Sequence, residues 1–174
     1  VNSSLDIFFQ RRSIRKYEKG EIPWEHLAKI LEAARSAPSA ANRQPWHFVV
    51  VRDPDRKLAL SRACHGQTWM ADADCIICGI GLPEVSEKWY MVDVAIAMQN
   101  LVLAATALGY GTCWIGAFDE DAVKEVLEIP ANLKVVALTP LGIPAEKPAQ
   151  RPRKPFHEVF SLDKFGNPLH LKDL

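Results

Sequence analysis

Apolar residues return at helical spacing after Pro23. Leu27, Ile30, Leu31 and Ala34 share one face, Pro23 suits a first turn, and the helix must stop before Pro38. Residues 5–17 read as an earlier helix, with Leu5, Phe8 and Phe9 on one side and a basic run at its end. HFVVV (47–51) is a continuous apolar run of strand length, after which Asp53-Pro54 caps a short helix through Leu58 and Leu60. CIICGI (75–80) is a second buried strand. The largest element runs from about Lys88 to Leu108. Met91, Val94, Ala95, Met98, Leu101, Val102 and Ala105 make one stripe, and Val92, Ile96 and Leu103 a second. Such a helix is buried nearly all round, and a small domain rarely encloses one unaided. The pattern therefore predicts the core of a subunit interface as well as of the fold. Gly109 ends that helix, GTCWIG (111–116) reads as a strand, Asp119 caps a helix to Leu127 before Pro130, and Lys134–Leu141 is the last clear core strand. Five of the twelve prolines fall between Pro140 and Pro155, so the tail is extended. Strands and helices in this alternation predict an α+β or α/β fold around a central sheet.

Composition narrows the function classes. A chain of 174 residues fits a single domain over 1–174, with the extended tail beginning at about 145. With 21 basic and 21 acidic residues there is no global field for a polyanion, so neither nucleic acid nor an anionic membrane is an expected partner. The first 30 residues lack a secretory core and cleavage site, which makes the cytoplasm the expected compartment. Cys75-Ile-Ile-Cys78 matches CxxC, but strand residues three apart face opposite sides, so Cys64, Cys75, Cys78 and Cys113 are expected as buried reduced thiols. His26, His47, His65, His157 and His170 show no metal spacing. Gly109-Tyr-Gly111 leads from helix to strand, the reverse of a dinucleotide-binding turn, which disfavours a Rossmann fold.

Three groups of residues carry candidate chemistry. Arg11, Arg12, Ser13 and Arg15 offer planar donors and a hydroxyl that suit a phosphate, although a solvated basic helix end has the same composition. Arg151 and Arg153 form a second cluster on the proline-rich tail, where an extended segment gains order from something to grip. Ser39 and Asn42 in PSAANRQPW suit a flat polar ligand, or simply end the preceding helix. At Gly116, the backbone N–H groups of Gly116 and Ala117 are open to a ligand edge, or the glycine only makes a turn.

The order of these pieces, over essentially the whole chain, resembles the nitroreductase family of FMN-dependent oxidoreductases. RRSIRKY is similar to the family's RRSxRxF entry, and APSAANRQPWHFVVV to its PSxxNxQPW-strand. Gly66-Gln67 is similar to its GQ or GN, VDVAIAMQNLVLAATALGYGTCWIG to its long helix and following strand, and LGIPAEKPAQRPRKP to its closing tail. The resemblance implies an α+β, three-layer α/β/α fold with a central, mostly antiparallel sheet, in an intertwined homodimer with shared active sites. It further implies that Arg11 and Arg153, helped by Arg12 and Arg151, hold the FMN phosphate. Ser13 reaches phosphate or ribityl, Arg15 sits at the N1/C2-oxygen edge, and Gln67 bonds the pyrimidine edge. Gly116 and Ala117 face N5 and O4, and Pro38, Ser39, Ala40 and Asn42 come from the other subunit. Arg15 and Gly116 are then the residues that tune the flavin, with no side-chain acid or base. NAD(P)H is the transient reductant, and a nitroaromatic, quinone or similar small acceptor takes the electrons in a ping-pong cycle. Two departures stand out. Ala40 replaces a second serine, and the connection at about 82–88 is short where relatives build a lid. The same fold also serves reductive dehalogenation and flavin fragmentation, and the arginine clusters alone would suit a non-enzymatic phospho-ligand binding protein.

Overall fold

A computed structural model describes residues 5–173. At its centre is a five-stranded sheet in which every pair of strands is antiparallel. β3 (Cys75–Gly81) lies between β2 (Trp46–Val51) and β5 (Lys134–Pro144), and the short strands β1 (Tyr17–Glu18) and β4 (Gly111–Thr112) also pair with β5. Helices α2 (Trp24–Arg35) and α4 (Tyr90–Ala107) pack together on one face of the sheet; α3 (Pro54–Ala63) and α5 (Glu120–Leu127) cover the other. This is the expected three-layer architecture.

β3 shows why the layers separate cleanly. Alternation sends Cys75 and Ile77 into the core with α2 and α4, while Ile76, Cys78 and Ile80 enter the core with α3 and α5. The two cysteines of the CxxC motif therefore lie in different layers, as expected, and all four cysteines are buried and free. Burial raises their thiols, to about 11 at Cys64 and about 12 at Cys75 and Cys78. Toward its end, the α4-facing side of β3 shrinks to Gly79 and Gly81. A Cβ at Gly79 would stand 3.0 Å from the Met98 sulfur, and one at Gly81 would overlap the Tyr90 ring, so the first half of α4 rests almost on backbone.

The helix ends follow the signals in the sequence. Asp53 accepts from Arg56 N–H at 2.8 Å, with Pro54 at the first position of α3. Asp119 accepts from Ala122 N–H at 3.0 Å to open α5. Gly109, at φ +84°, lets Tyr110 N–H return to the Ala105 carbonyl at the end of α4.

Two expectations need correction. Helix α1 spans only Asp6–Gln10, because Ile14 must enter the core: its N–H donates to the Thr112 carbonyl at 2.9 Å and its side chain packs over Gly111. The strand expected over 111–116 stops at Thr112. The register places Pro140, which has no N–H, opposite Cys113, and Cys113 donates instead to the Thr139 hydroxyl before Ile115 rejoins β5 at Leu138. Within one chain α4 is covered on one face and open on the other. Val94, Ala97, Met98, Leu101, Val102 and Ala105 are buried, but Met91 is 57% exposed, Val92 46% and Ile96 36%. The tail beyond β5 is mostly exposed and holds a short α-helix, α6 (Phe156–Val159), and a 3-10 turn at Leu171–Asp173.

Candidate functional site

The extended segment after α1 reorganises the first arginine cluster. Alternation puts Arg11, Ser13 and Arg15 on one side, while Ile14 and Arg12 turn to the other. Arg12 Nη1 donates to the carbonyls of Phe9 and Arg11 and lines a cleft of about 1030 Å³ between α1, the end of α4 and the start of the tail. The helical reading had grouped it with the others; the structure does not. Cys113 reports the remaining three. Burial raises its thiol, and Arg15, a Ser13 hydrogen bond and Arg11 all pull it down. Neither the Arg11 nor the Arg15 guanidinium has a hydrogen bond or ion pair among the described residues. The Arg15 backbone N–H, by contrast, is fixed by Glu146 Oε1 at 2.6 Å.

The PSAANRQPW segment forms a tight turn between α2 and β2. Ala41, Asn42 and Gln44 all adopt left-handed backbone angles, at φ 50°, 54° and 53°. Ser39 Oγ accepts from Gln44 N–H at 2.9 Å, and the Ser39 carbonyl accepts from Asn42 N–H at 2.9 Å. Ala40 N–H is also taken, by both carboxylate oxygens of Asp93 at 3.3 and 3.2 Å, so it is not a free donor for a ligand. The Asn42 carboxamide is exposed and has no partner among the described residues. A groove of about 330 Å³ separates Pro38, Ser39 and Ala40 from Trp89, Val92, Asp93 and Ile96 of the α4 region.

The other candidates are more dispersed. Gln67 follows His65 and Gly66, both at positive φ, and its Nε2 donates to the Cys64 carbonyl at 3.0 Å. Gly116 and Ala117 are exposed, their N–H groups have no partner among the described residues, and a Cβ at Gly116 would meet nothing within 4 Å. Arg153 Nη1 donates to the nearby carbonyls of Arg151 and Pro152, and no bond among the described residues joins the Arg151 or Arg153 side chain to Arg11. Two residues outside the sequence prediction join the site, Glu146 and Asp93. Glu146 had no distinguishing signal. Asp93 did, as the one charged residue between Met91 and Leu108. Among the described residues, the arrangement offers guanidinium groups without a bonded partner beside a hydroxyl for a phosphate, and open backbone donors for a flat heteroaromatic edge.

The sequence model of the Nitroreductase family matches residues 9–76 and 63–143. A protein of Archaeoglobus fulgidus named putative NADH dehydrogenase/NAD(P)H nitroreductase is 37% identical over 154 residues, covering 84% of this chain and 88% of its own. A Bacillus subtilis protein named FMN reductase [NAD(P)H] is 30% identical over 96% of this chain and 76% of its own. The crystal structure of a nitroreductase family protein from Clostridium novyi NT superposes with a TM-score of 0.79 at 39% identity, over 96% of this chain and 97% of the other.

Proposed function

Because the chain belongs to the nitroreductase family, we propose that it is an FMN-dependent oxidoreductase that takes reducing equivalents from NAD(P)H. It delivers them to a small electron-poor acceptor, a nitroaromatic or quinone, by a ping-pong cycle. The observation that carries this reading is the one-sided array of Arg11, Ser13 and Arg15, whose two guanidinium groups have no hydrogen bond or ion pair among the described residues. With no carboxylate bonded to them among the described residues, such groups favour an anion from outside the chain.

The residues present fit FMN. Arg11 and Ser13 hold the phosphate end, and Arg151 and Arg153 are assigned to the same phosphate when the tail closes. Arg15 places a permanent positive charge at the N1 edge of the ring, where it stabilises negative charge that develops on reduction. Gln67 bonds the pyrimidine edge, and the free N–H groups of Gly116 and Ala117 face N5 and O4 across open space. FMN, when bound, supplies the two-electron chemistry. Arg12, turned toward the cleft at α1, is withdrawn from the phosphate set.

The site is completed by a second copy. Pro38, Ser39 and Ala40 share a groove with Val92 and Ile96 of the exposed α4 face, and the tail exposes Phe160, Leu162 and Phe165. Apolar surface of this extent supports a homodimer in which each turn reaches the partner's flavin. The test is a visible spectrum of the purified protein under anaerobic conditions. A band near ~450 nm that NADH or NADPH bleaches and a nitroaromatic restores is the expected result. Colourless protein that takes up no added FMN would overturn the reading.

A further inference from the structure

The turn that carries Ser39 and Asn42 holds an unfavourable backbone shape. Ala41, Asn42 and Gln44 sit in the left-handed region, which side-chain-bearing residues adopt only when their surroundings impose it. Two polar groups do so here. Ser39 Oγ closes the turn on itself through Gln44 N–H, and Asp93 ties it to α4 through Ala40 N–H. The remaining α4-region contacts in the groove, Trp89, Val92 and Ile96, are large apolar side chains that do not fix a backbone direction.

Asp93 is an unusual residue for its position. It is 2% exposed, and burial of a carboxylate is costly unless the charge is bonded. Its place in the first turn of α4 favours a negative charge, and that alone would make it a helix-end residue. Its side chain does not cap its own helix, however. It crosses to a residue 53 positions earlier and spends both oxygens on one N–H.

We propose that Asp93 is a positioning residue for the cofactor site. It fixes the left-handed turn over 39–44 so that Ser39 and Asn42 are presented to the flavin of the partner copy. This rests on the functional reading above for the identity of the ligand, but not for the shape of the turn. Asp93→Ala removes the tie, and Asp93→Asn keeps an acceptor oxygen for Ala40 N–H without the charge. Ala41→Gly lowers the penalty of the left-handed angle at one position of the turn.

The test measures FMN affinity by flavin fluorescence in the full-length variants, with amide hydrogen exchange of residues 40–44 measured without FMN. Asp93→Ala is expected to weaken FMN binding about tenfold or more and to speed exchange at Ala40. Asp93→Asn should lose only a few-fold, and adding Ala41→Gly to Asp93→Ala should recover part of the affinity. A purely structural role in α4 would give no such rescue. If Asp93→Ala does not fold, the Asp93→Asn and Ala41→Gly pair decides: exchange at Ala40 faster than wild type in Asp93→Asn, slowed again by Ala41→Gly, supports the proposal. Wild-type exchange at Ala40 in the variants, or FMN affinity that Asp93→Ala leaves unchanged, overturns it. If the wild-type protein takes up no FMN while exchange at Ala40 still depends on Asp93, the functional reading fails and the tie between Asp93 and the turn stands.

Discussion

Gly116 and Gly142 look alike in the sequence and differ in what surrounds them. A Cβ at Gly116 meets nothing within 4 Å, whereas one at Gly142 would press on Tyr17 and on the backbone of Ala73 and Asp74, at 2.9 to 3.1 Å. Gly142→Ala is expected to destabilise the fold by about 1–3 kcal/mol in thermal melts. Gly116→Ala should leave the melt unchanged and weaken FMN binding, since only a ligand edge would notice the methyl group. The arginines separate in the same way. Arg15→Met should slow flavin reduction in rapid mixing while retaining much of the FMN affinity, and Arg11→Ala should chiefly weaken binding. Equal losses of affinity with an unchanged reduction rate would contradict their separate roles. Residue types for a phosphate site were legible in RRSIRKY, but their directions were not. Whether Arg12 joins Arg11 depends on a strand pairing with Thr112, about a hundred positions away, and no local pattern encodes that.

Elements with strong local signals were readable. Pro23, Asp53-Pro54, Gly109 and Asp119 each place a helix end through bonds within a few residues. Asp119→Ala removes the acceptor for Ala122 N–H at the start of α5. It should cost about 1 kcal/mol, a fall in Tm of roughly 2–4 °C by calorimetry. Elements whose limits are set by distant partners were misread. α1 ends where Ile14 is claimed by the sheet, and β4 ends where Pro140 cannot donate. Asp93 could have been suspected as a lone charge in an apolar helix. Its partner could not, because the turn and α4 meet only in the folded chain.

At the scale of the molecule, the exposed α4 face and the apolar tail argue for assembly. Truncation after Pro148 should weaken both the dimer and FMN binding, read by sedimentation of full-length and shortened protein with and without FMN. A monomer at micromolar concentration that still holds flavin would place the whole site in one chain. Stability should also fall at alkaline pH. Burial pushes the thiols of Cys64, Cys75 and Cys78 up to about 11 to 12 from an ordinary value of 9.0, so the protonated form is favoured by folding. That contribution is complete below pH 9 and is lost as pH rises from there toward 12. Urea midpoints should hold level up to about pH 8 and then decline; a level midpoint to pH 11 would contradict the burial.

The separation of Cys75 from Cys78 by the thickness of the sheet has an electrical consequence. Two thiols that face different layers cannot close a ring with each other, and each is sealed from solvent. The polypeptide therefore has no dithiol at this motif in which to store a pair of electrons. On the proposed function, such a chain is an insulator around its flavin: electrons would enter and leave only through the small molecules that reach it, and the thiol poise of the surrounding medium would have no handle at this motif.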